Sequence, residues 1–376
     1  MDHTAIGNRL QSEIDALVRK SKDIFSAVLG VATKNCDFYW SGAAGSAHAD
    51  KGDVMSVDTP IFIASITKMY TAAATLILEE RGLLTLDDRI SKFLPSSLVG
   101  GLHRYKGRDY SDLLRIYHLI SQTSGLPDYF LASPKGGKSM FDLIVAGSDE
   151  EWDVETVVDI AKSRLSPRFP PEPKGQERSG KKAHYSDTNY QLLGAIIESV
   201  TEKPLHEVFD ELIIEPLELS STYLYGYGRP HASVEGSPAN IYYREKPLYL
   251  DKAMRSFGPD GGMVSNVEDS LRFLRDLMEG KLFEELSTLE RMKTWKRISY
   301  PLQYGLGLMR FKLLKLLSPL SPTAELIGHA GASSAFLFHS DVGQLYIGGT
   351  LNQLQNQGRP FRLMLKVVSI LREKAS

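Results

Sequence analysis

Residues 65–82 read SITKMYTAAATLILEERG, and this stretch decides the fold. Its apolar residues occupy almost every side of a 3.6-residue period, and a glycine follows at position 82. This pattern predicts a helix over about residues 65–81 that is buried all round. Ser65 and Lys68 stand three residues apart at its start, so both side chains project from one face. A buried amine needs a partner, which makes Lys68 the most informative residue of the helix.

The chemistry that this pair supports is nucleophilic catalysis. A serine hydroxyl attacks a carbonyl only when a base takes its proton, and a desolvated lysine can be that base. Backbone N–H groups at the helix start would also point toward the reacting oxygen of Ser65. The same spacing recurs at Ser179 and Lys182, but in a loop rich in glycine and lysine, where ordinary solvated charges are expected.

The segments on both sides of the central helix predict a sheet built from the two ends of the chain. Residues 5–22 carry a helical apolar stripe, and residues 25–33 and 37–42 read as two strands joined by a short turn. Helical segments broken by loops follow from about residue 86 to residue 266. After them, a helix, three strand-like runs and a last amphipathic helix are expected at residues 267–278, 304–311, 334–338, 344–351 and 360–372.

Strands near both termini with helices between them indicate an α/β (α+β) protein with a mainly helical region inserted into it. We therefore expect a discontinuous sheet domain made of residues 1–64 and 300–376. Residues 65–299 would form a mainly helical domain, with the active site at the interface between the two.

Composition restricts the function further. With 376 residues, 42% of them hydrophobic, and a formal net charge of −2, the chain can bury a large core and carries no basic nucleic-acid footprint. Cys36 is the single cysteine, which excludes intramolecular disulfides and Cys-rich zinc sites. The first fifteen residues lack a secretory apolar core, and the apolar stretches at residues 70–78 and 313–320 are shorter than the roughly 20 residues of a membrane span. We expect a cytoplasmic protein without a membrane span or a nucleic-acid partner.

Two further segments carry candidate reactive groups. Tyr185 opens YSDTNY at residues 185–190, and neighbouring cations can lower the pKa of a phenol far enough for it to act as a base. The sequence GHAGA at residues 328–332 precedes a predicted strand. Its small residues would let a substrate pair with the backbone, and an N–H group there can help to hold an oxyanion.

In this order, the Ser-x-x-Lys, Tyr-x-Asn-like and His-x-Gly elements resemble the superfamily of serine β-lactamases, penicillin-binding DD-peptidases and class C-like esterases. The similarity includes HLISQTSGLPDY at residues 118–129 and PDGGMVSNVED at residues 259–269, and it covers about residues 10–370. It implies a β-lactamase/transpeptidase-like fold, in which an antiparallel sheet is flanked by the N- and C-terminal helices. It also implies a small-molecule ester, amide or D-peptide substrate and no metal or cofactor.

The resemblance also implies catalytic roles. Ser65 would be the nucleophile that forms an acyl-enzyme, and Lys68 and Tyr185 would share proton transfer. His329 would occupy the third catalytic motif, beside the strand that pairs with the substrate. Water would then hydrolyse the acyl-enzyme.

Substrate-binding positions follow in the same way. The backbone N–H groups of Ser65 and Ala332 would form the oxyanion hole, next to Gly331. Tyr129 would line the acyl pocket, and Asp187 would face the substrate from the second motif.

Two departures from the family pattern concern substrate choice. Asp187 replaces the asparagine whose amide would bind an acylamino carbonyl, and its carboxylate would pair with Lys68, keep it protonated and move the base role to Tyr185. His329 replaces a lysine that would hold a substrate carboxylate. Both changes favour a carboxylesterase, or a peptidase acting on D-residues, over an efficient β-lactamase.

Other functions stay open at this point. The acyl-enzyme would also support acyl transfer to an alcohol, and a non-catalytic ligand-binding or assembly protein could keep the fold. An α/β-hydrolase is disfavoured because no Gly-x-Ser-x-Gly motif is present, and a metallohydrolase because His206 and Glu207 lack the second histidine. The sequence does not indicate an oligomeric state.

Overall fold

A computed structural model describes residues 2–35, 37–175, 182–231, 236–312 and 325–372. Cys36, Ser179 and the apolar stretch at 313–320 therefore lie outside the described residues. None of the helices in these ranges has both the length and the apolar character needed to cross a bilayer.

The strands are β1 (Ser26–Thr33), β2 (Tyr39–Gly45), β3 (Ile61–Phe62), β4 (Arg104–Tyr105), β5 (Arg108–Asp109), β6 (Tyr223–Leu224), β7 (Ile241–Tyr243), β8 (Lys246–Leu248), β9 (Met263–Ser265), β10 (Lys296–Ser299), β11 (Leu302–Tyr304), β12 (Met309–Lys312), β13 (Glu325–Ala330), β14 (Phe336–Ser340) and β15 (Leu345–Thr350). The helices are α1 (His3–Lys20), α2 (Thr67–Glu80), α3 (Ser96–Val99), α4 (Ile116–Ile120), α5 (Met140–Val145), α6 (Val154–Asp159), α7 (Asp187–Thr201), α8 (Leu205–Phe209), α9 (Asp251–Gly261), α10 (Val267–Met278), α11 (Leu286–Met292) and α12 (Gly358–Arg372).

The largest sheet in the described residues is antiparallel and joins the two ends of the chain. Its strand order is β10-β11-β12-β13-β14-β15-β1-β2, and the pairing of β1 with β15 brings Val28 opposite Thr350. Helices α1 and α12 pack on each other and on this sheet, while α10 packs on β1, β14 and β15. The predicted antiparallel sheet, completed by both termini and flanked by the terminal helices, is thus confirmed.

Burial on both faces explains why the central strands are so apolar. Phe338 contacts Phe361 of α12, whereas Gly348, opposite the neighbouring Leu337, faces Leu271 of α10. Adjacent residues of a strand point to opposite faces, so the two helices cover opposite sides of the sheet.

The predicted central helix is confirmed as α2, in which residues 67–78 are buried. It packs against α7, α8 and α9, and the ring of Tyr70 stacks on that of Phe273 with 3.8 Å between centroids. One turn of 3-10 helix, Ala64–Ile66, precedes it and carries Ser65.

The strand prediction was wrong in one detail and incomplete in another. Residues 304–311 do not form one strand, because a turn at residues 305–308 separates β11 from β12. The GHAGA segment precedes a strand as predicted, namely β14, but Gly328, His329 and Ala330 also form the end of β13, a strand that was not predicted and that pairs with β12 and β14. The conformation of a short strand depends more on the strands that pair with it than on its own residues, and the local sequence does not indicate which strands those are.

A kink in α9 shapes the interior beside α2. Gly258 has φ 41° and ψ −114°, and Pro259 follows it, so the helical hydrogen-bond ladder is interrupted. The freed carbonyl of Pro259 accepts a 2.6 Å hydrogen bond from the Thr71 hydroxyl. The next carbonyl, that of Asp260, faces Lys68. The kink therefore turns backbone acceptors toward the central helix.

Candidate active site

Ser65 lies on a tight turn that other parts of the chain hold in place. Ala64 has a positive φ of 48°, which is uncommon for a residue with a side chain. The Ile63 N–H donates to the carbonyl of Met263 at 3.1 Å. Gly331, just after β13, lies so close that a Cβ there would come within 2.6 Å of the Ile63 carbonyl oxygen. The end of β13 and the turn that carries Ser65 are thus packed directly together.

Lys68 lies at the centre of the site and is fully buried. Its Nζ donates to Ser65 Oγ at 3.2 Å and to the backbone oxygen of Asp260 at 2.6 Å. It also forms an ion pair with Asp187 Oδ1 at 2.7 Å. The predicted contact of Lys68 with Ser65 and its pairing with Asp187 are both present.

The charges around Lys68 determine its protonation. Burial on its own lowers the pKa of Lys68, but the surrounding acidic groups, led by Asp187, outweigh burial and raise that pKa above the ordinary value. Lys68 is therefore an ammonium ion in the resting site.

Tyr185 contacts the same pair of residues. Its hydroxyl interacts with the side chains of Ser65 and Lys68, and Lys68 Nζ lies 5.2 Å from its ring centroid. The expectation that cations lower the pKa of this phenol was wrong. Burial raises the pKa of Tyr185 above its usual value, and the opposing effect of Lys68 is smaller. Tyr185 is therefore a neutral phenol in the resting site.

His329 is buried and electrically neutral. Burial, reinforced by the Lys68 charge, lowers the pKa of His329 to about 3. Its Nδ1 lies 2.8 Å from the carbonyl oxygen of Ala330, which places the ring proton on Nδ1. The ring packs against Tyr185 and Tyr304 and is not among the residues that line the cavity described below. The His329 ring therefore contacts Tyr185 and Tyr304 and does not face the cavity.

The two backbone groups expected to hold an oxyanion are free to do so. Neither the Ser65 N–H nor the Ala332 N–H has a protein acceptor within the described ranges. Gly331, between β13 and Ala332, instead donates to the carbonyl of Ala335 at 2.7 Å, which tightens the turn. Ser65, Gly331 and Ala332 all line one cavity.

This cavity has a volume of about 430 Å³ and is mostly apolar. Its apolar side chains are Phe130, Leu131, Phe141, Ile144, Ile241, Leu250, Met254, Phe257, Leu302, Met309, Leu354 and Phe361. Its polar side chains are Ser65, Tyr185, Asp187, Asp260, Ser333 and Gln357. No lysine, arginine or histidine is among the described residues that line it.

The prediction that Tyr129 lines the acyl pocket was wrong. Its side chain is fully buried, and its hydroxyl donates to Asp260 Oδ2 at 3.1 Å. The next two residues, Phe130 and Leu131, line the cavity instead. Their backbone N–H groups donate to the carboxylate of Asp128, which turns the chain so that Tyr129 points inward.

Sequence reasoning did not single out two carboxyl groups of the site, Asp128 and Asp260. Both lie within motifs that carried the family resemblance, and the only local signal is an acidic residue in a largely uncharged run. Burial, reinforced by Asp187, raises the pKa of Asp128 to about 8. The same two causes raise the pKa of Asp260 well above its ordinary value.

The close packing at Gly331 leads to a first prediction. Gly331→Ala should lower kcat/KM by about 10- to 100-fold, because overpacking of about 1 to 3 kcal/mol must displace the turn that carries Ser65. Gly137→Ala is the matched control, since a Cβ there meets only ordinary contacts at 3.5 Å or more. Steady-state kinetics of both variants test this, and an unchanged kcat/KM in Gly331→Ala would show that the turn can shift freely.

Comparisons with known proteins agree with this geometry. The family model described as Beta-lactamase matches residues 14–367. The chain is 30% identical over 222 residues to Esterase EstB from Burkholderia gladioli, a match that covers 58% of this chain and 51% of EstB. It spans about half or less of the length of the curated relatives it matches.

Two solved structures extend the similarity over nearly the whole chain. A D-stereospecific amidohydrolase from Streptomyces sp. is 29% identical with a TM-score of 0.70, covering 94% of this chain and 95% of that one. A D-amino acid amidase from Ochrobactrum anthropi SV3, complexed with L-phenylalanine amide, is 20% identical with a TM-score of 0.78. That match covers 99% of this chain and 100% of the amidase, and at such identity it shows the fold alone.

Proposed function

The chain belongs to the Beta-lactamase family of hydrolases and has the β-lactamase/transpeptidase fold, and from that membership we propose that it is a serine carboxylesterase acting through an acyl-enzyme on Ser65. The observation that carries the ester assignment is the apolar cavity beside Ser65, which offers room for a hydrophobic acyl group. The backbone N–H groups of Ser65 and Ala332, which have no protein acceptor in the described ranges, support a role in stabilising the oxyanion.

The first half of the reaction makes the acyl-enzyme. Ser65 Oγ forms a bond to the carbonyl carbon while its proton passes to the oxygen of Tyr185, and the carbonyl electron pair moves onto the oxyanion. The acceptor is the minor phenolate form of Tyr185, which the ammonium of Lys68 favours although burial keeps the neutral phenol predominant. Collapse of the adduct breaks the ester bond, and the alcohol leaves with the proton from Tyr185.

The second half releases the acid. Water attacks the acyl carbon and gives a proton to Tyr185, which returns it to Ser65 Oγ when the second adduct collapses. In this scheme His329 is a positioning residue, because its ring packs against Tyr185 and carries no charge. Transfer of the acyl group to an alcohol would follow the same steps with the alcohol in place of water.

The electrostatics of the cavity favour esters over β-lactams and D-peptides with a free carboxylate. A substrate carboxylate needs a cation, and no cationic side chain is among the described residues of the cavity lining. Lys68 is adjacent but already paired with Asp187. His329, at the position where relatives carry a cation, is neutral.

We also keep the division into two domains as a proposal. The cavity is lined both by the central helical part, through Ser65 and Phe130, and by the sheet part, through Met309 and Gly331. This is the arrangement expected of a site at a domain interface.

A substrate panel tests the proposed function. We expect Ser65-dependent hydrolysis of short-chain p-nitrophenyl esters and much slower turnover of a chromogenic cephalosporin on the same preparation, because only the latter presents a carboxylate to this cavity. D-amino-acid amides complete the panel, since amide cleavage would identify an amidase or peptidase. Cephalosporin turnover equal to ester turnover would contradict the esterase proposal.

A second test concerns Asp187. Asp187→Asn replaces an acceptor by an amide donor, so the ratio of kcat/KM for N-acylated substrates to kcat/KM for simple esters should rise. The gain should correspond to about 1 to 3 kcal/mol, the value of satisfying one buried polar group. Simple esters should lose rate, because the buried Lys68 loses its ion-pair partner. A flat or falling ratio would assign substrate selection to cavity shape instead.

A further inference from the structure

A second cavity shares the kinked helix α9 as a wall with the cavity beside Ser65. Its volume is about 630 Å³, within the range of about 300 to 1,000 Å³ that is usual for small-molecule sites. Gly258 and Pro259 line the second cavity, whereas Phe257 and Asp260 line the cavity beside Ser65. Among the described residues, none lines both cavities. A ligand in the second cavity would therefore leave the place of the substrate free.

Gln191 of α7 provides a hydrogen-bond acceptor for such a ligand. It is only 5% exposed, and it lines the second cavity but not the cavity beside Ser65. Its Nε2 donates to the backbone oxygens of Ser256 and Phe257, at 3.1 and 2.9 Å, and to Asp260 Oδ2 at 3.0 Å. Its Oε1 accepts no hydrogen bond from the described part of the chain. A buried amide oxygen is thus left for a donor in the second cavity.

The charge of the lining favours a positively charged donor. Four exposed carboxylates line the second cavity, namely Glu151, Asp153, Glu155 and Glu198. Asp153 and Glu198 each also accept a backbone hydrogen bond, which leaves their negative charge uncompensated. Arg255 is the one lysine or arginine among the described lining residues, and it pairs at 2.8 Å with Asp251, which is not part of the lining. The excess of negative charge attracts a cation.

Aromatic side chains give the second cavity an apolar surface as well. Trp152, His206 and Tyr227 all line it. Trp152 is buried, whereas Tyr227 is 54% exposed and stacks on the ring of His206 with 6.3 Å between centroids. Aromatic faces pack on apolar groups and attract cations. The lining therefore suits a cation that carries an apolar body.

We propose that the second cavity binds a protonated amine with an aromatic or other apolar body, and that the bound amine slows hydrolysis at Ser65. The ammonium group would donate to Gln191 Oε1, within the field of the four carboxylates. The apolar body would pack on Trp152 and Tyr227. The amine is a regulatory ligand in this proposal, not a substrate, and the site is separate from the one that the proposed function uses.

Hydrogen bonds connect the second cavity to the catalytic lysine. Trp152 Nε1 donates to the Tyr129 hydroxyl at 3.2 Å, and that hydroxyl donates to Asp260 Oδ2 at 3.1 Å. Gln191 donates to the same oxygen, and the backbone oxygen of Asp260 accepts from Lys68 Nζ at 2.6 Å. A ligand that contacts Trp152 and Gln191 therefore acts on the kink of α9. Because the contact of Lys68 with this kink is already short, a shift of the kink can only lengthen it, and kcat should fall.

Steady-state kinetics of the wild-type protein test the proposal with 2-phenylethylamine as the probe. At about pH 7.5 this primary amine is protonated. We expect a saturable fall in kcat for p-nitrophenyl acetate of at least about 3-fold, with KM changed by less than about 2-fold. The uncharged 2-phenylethyl methyl ether, and sodium chloride at equal ionic strength, should not lower kcat. A rise in KM alone would place the amine beside Ser65 and overturn the proposal, as would an unchanged or increased kcat.

Variants then assign the amine to the second cavity. The double variant Glu151→Gln with Glu155→Gln should weaken amine binding by at least about 10-fold, measured by isothermal titration calorimetry, and should keep the kinetics seen without amine. Glu284→Gln with Glu290→Gln is the matched control, because both side chains are exposed, lie outside the lining and carry the same charge. Unchanged affinity in the first variant, or an equal loss in the control, would overturn the proposal.

Two further measurements keep the outcomes separate. Melting temperatures show that each variant is folded, which is expected because the substituted glutamates are exposed. The rate at which a fluorophosphonate labels Ser65 should fall when the amine binds, and this readout needs no ester turnover. Absence of Ser65-dependent ester turnover would therefore contradict the proposed function alone. Amine binding without any change in turnover or labelling rate would overturn the regulatory proposal.

Discussion

Ser65→Ala should lower kcat for p-nitrophenyl esters by about 10⁴- to 10⁶-fold, the scale of loss when a covalent nucleophile is removed. The reason is geometric as well as chemical. Ser65 Oγ is the hydroxyl that Lys68 Nζ contacts at 3.2 Å, and Ser65 also lines the cavity. No other serine or threonine hydroxyl in the described ranges hydrogen-bonds to Lys68 Nζ. Steady-state kinetics of the purified variant measure the effect, and retention of most of the activity would refute the assignment.

A control separates the two Ser-x-x-Lys candidates. Ser179→Ala, outside the described residues, should have nearly wild-type kinetics, because its loop is expected to carry ordinary solvated charges. A fluorophosphonate should label Ser65, and peptide mapping would locate the adduct. An adduct on Ser179 would show that Ser65 is not the nucleophile. The absence of any adduct would favour a non-catalytic ligand-binding protein.

Tyr185→Phe should lower kcat by about 10²- to 10⁴-fold with a smaller change in KM, the usual contribution of a general base. The ring would still pack against His329 and Tyr304, while the oxygen that interacts with Ser65 and Lys68 would be gone. Stopped-time or continuous ester assays measure both constants. An unchanged kcat would assign the base role to Lys68 alone.

The pH profile provides an independent test of the same base. Burial raises the pKa of Tyr185, so the phenolate is the minor form at neutral pH. As long as the pH is below that pKa, each increase of one pH unit raises the phenolate fraction about tenfold. Wild-type kcat/KM should therefore rise between about pH 6 and about pH 9 without reaching a plateau. Tyr185→Phe should flatten this rise. A plateau near neutral pH in the wild type would indicate a base of lower pKa.

Local sequence patterns were sufficient to predict features that depend on residues close together in the chain. The three-residue spacing of Ser65 and Lys68 places both on one helical face whatever surrounds the helix, and the contact is present. The ion pair of Lys68 with Asp187, which is distant in the chain, was expected from the family resemblance instead, and it is present. The terminal helices and strands β1, β2, β14 and β15 were predicted from their sequence patterns, whereas β10 and β13 were not predicted.

Predictions failed for side-chain orientation and for pKa, which depend on contacts and burial in the folded protein. Tyr129 was expected in the pocket because of its place after a motif, but hydrogen bonds from the backbone to Asp128 turn Phe130 and Leu131 toward the cavity instead. The pKa of Tyr185 was expected to fall because cations flank it in the sequence. The Tyr185 ring packs against Tyr304 and His329, which are distant in the chain, and burial raises its pKa instead.

The sequence by itself thus determined the family and the contact between Ser65 and Lys68, because helical spacing and short motifs are local properties of a chain. Only the tertiary structure decided the electrostatics and lining of the cavity. The kink at Gly258 and Pro259 brings Asp260 to Lys68, which is 192 positions earlier in the chain. Burial, charge pairing and cavity shape depend on which distant segments pack together, and no local pattern contains that information.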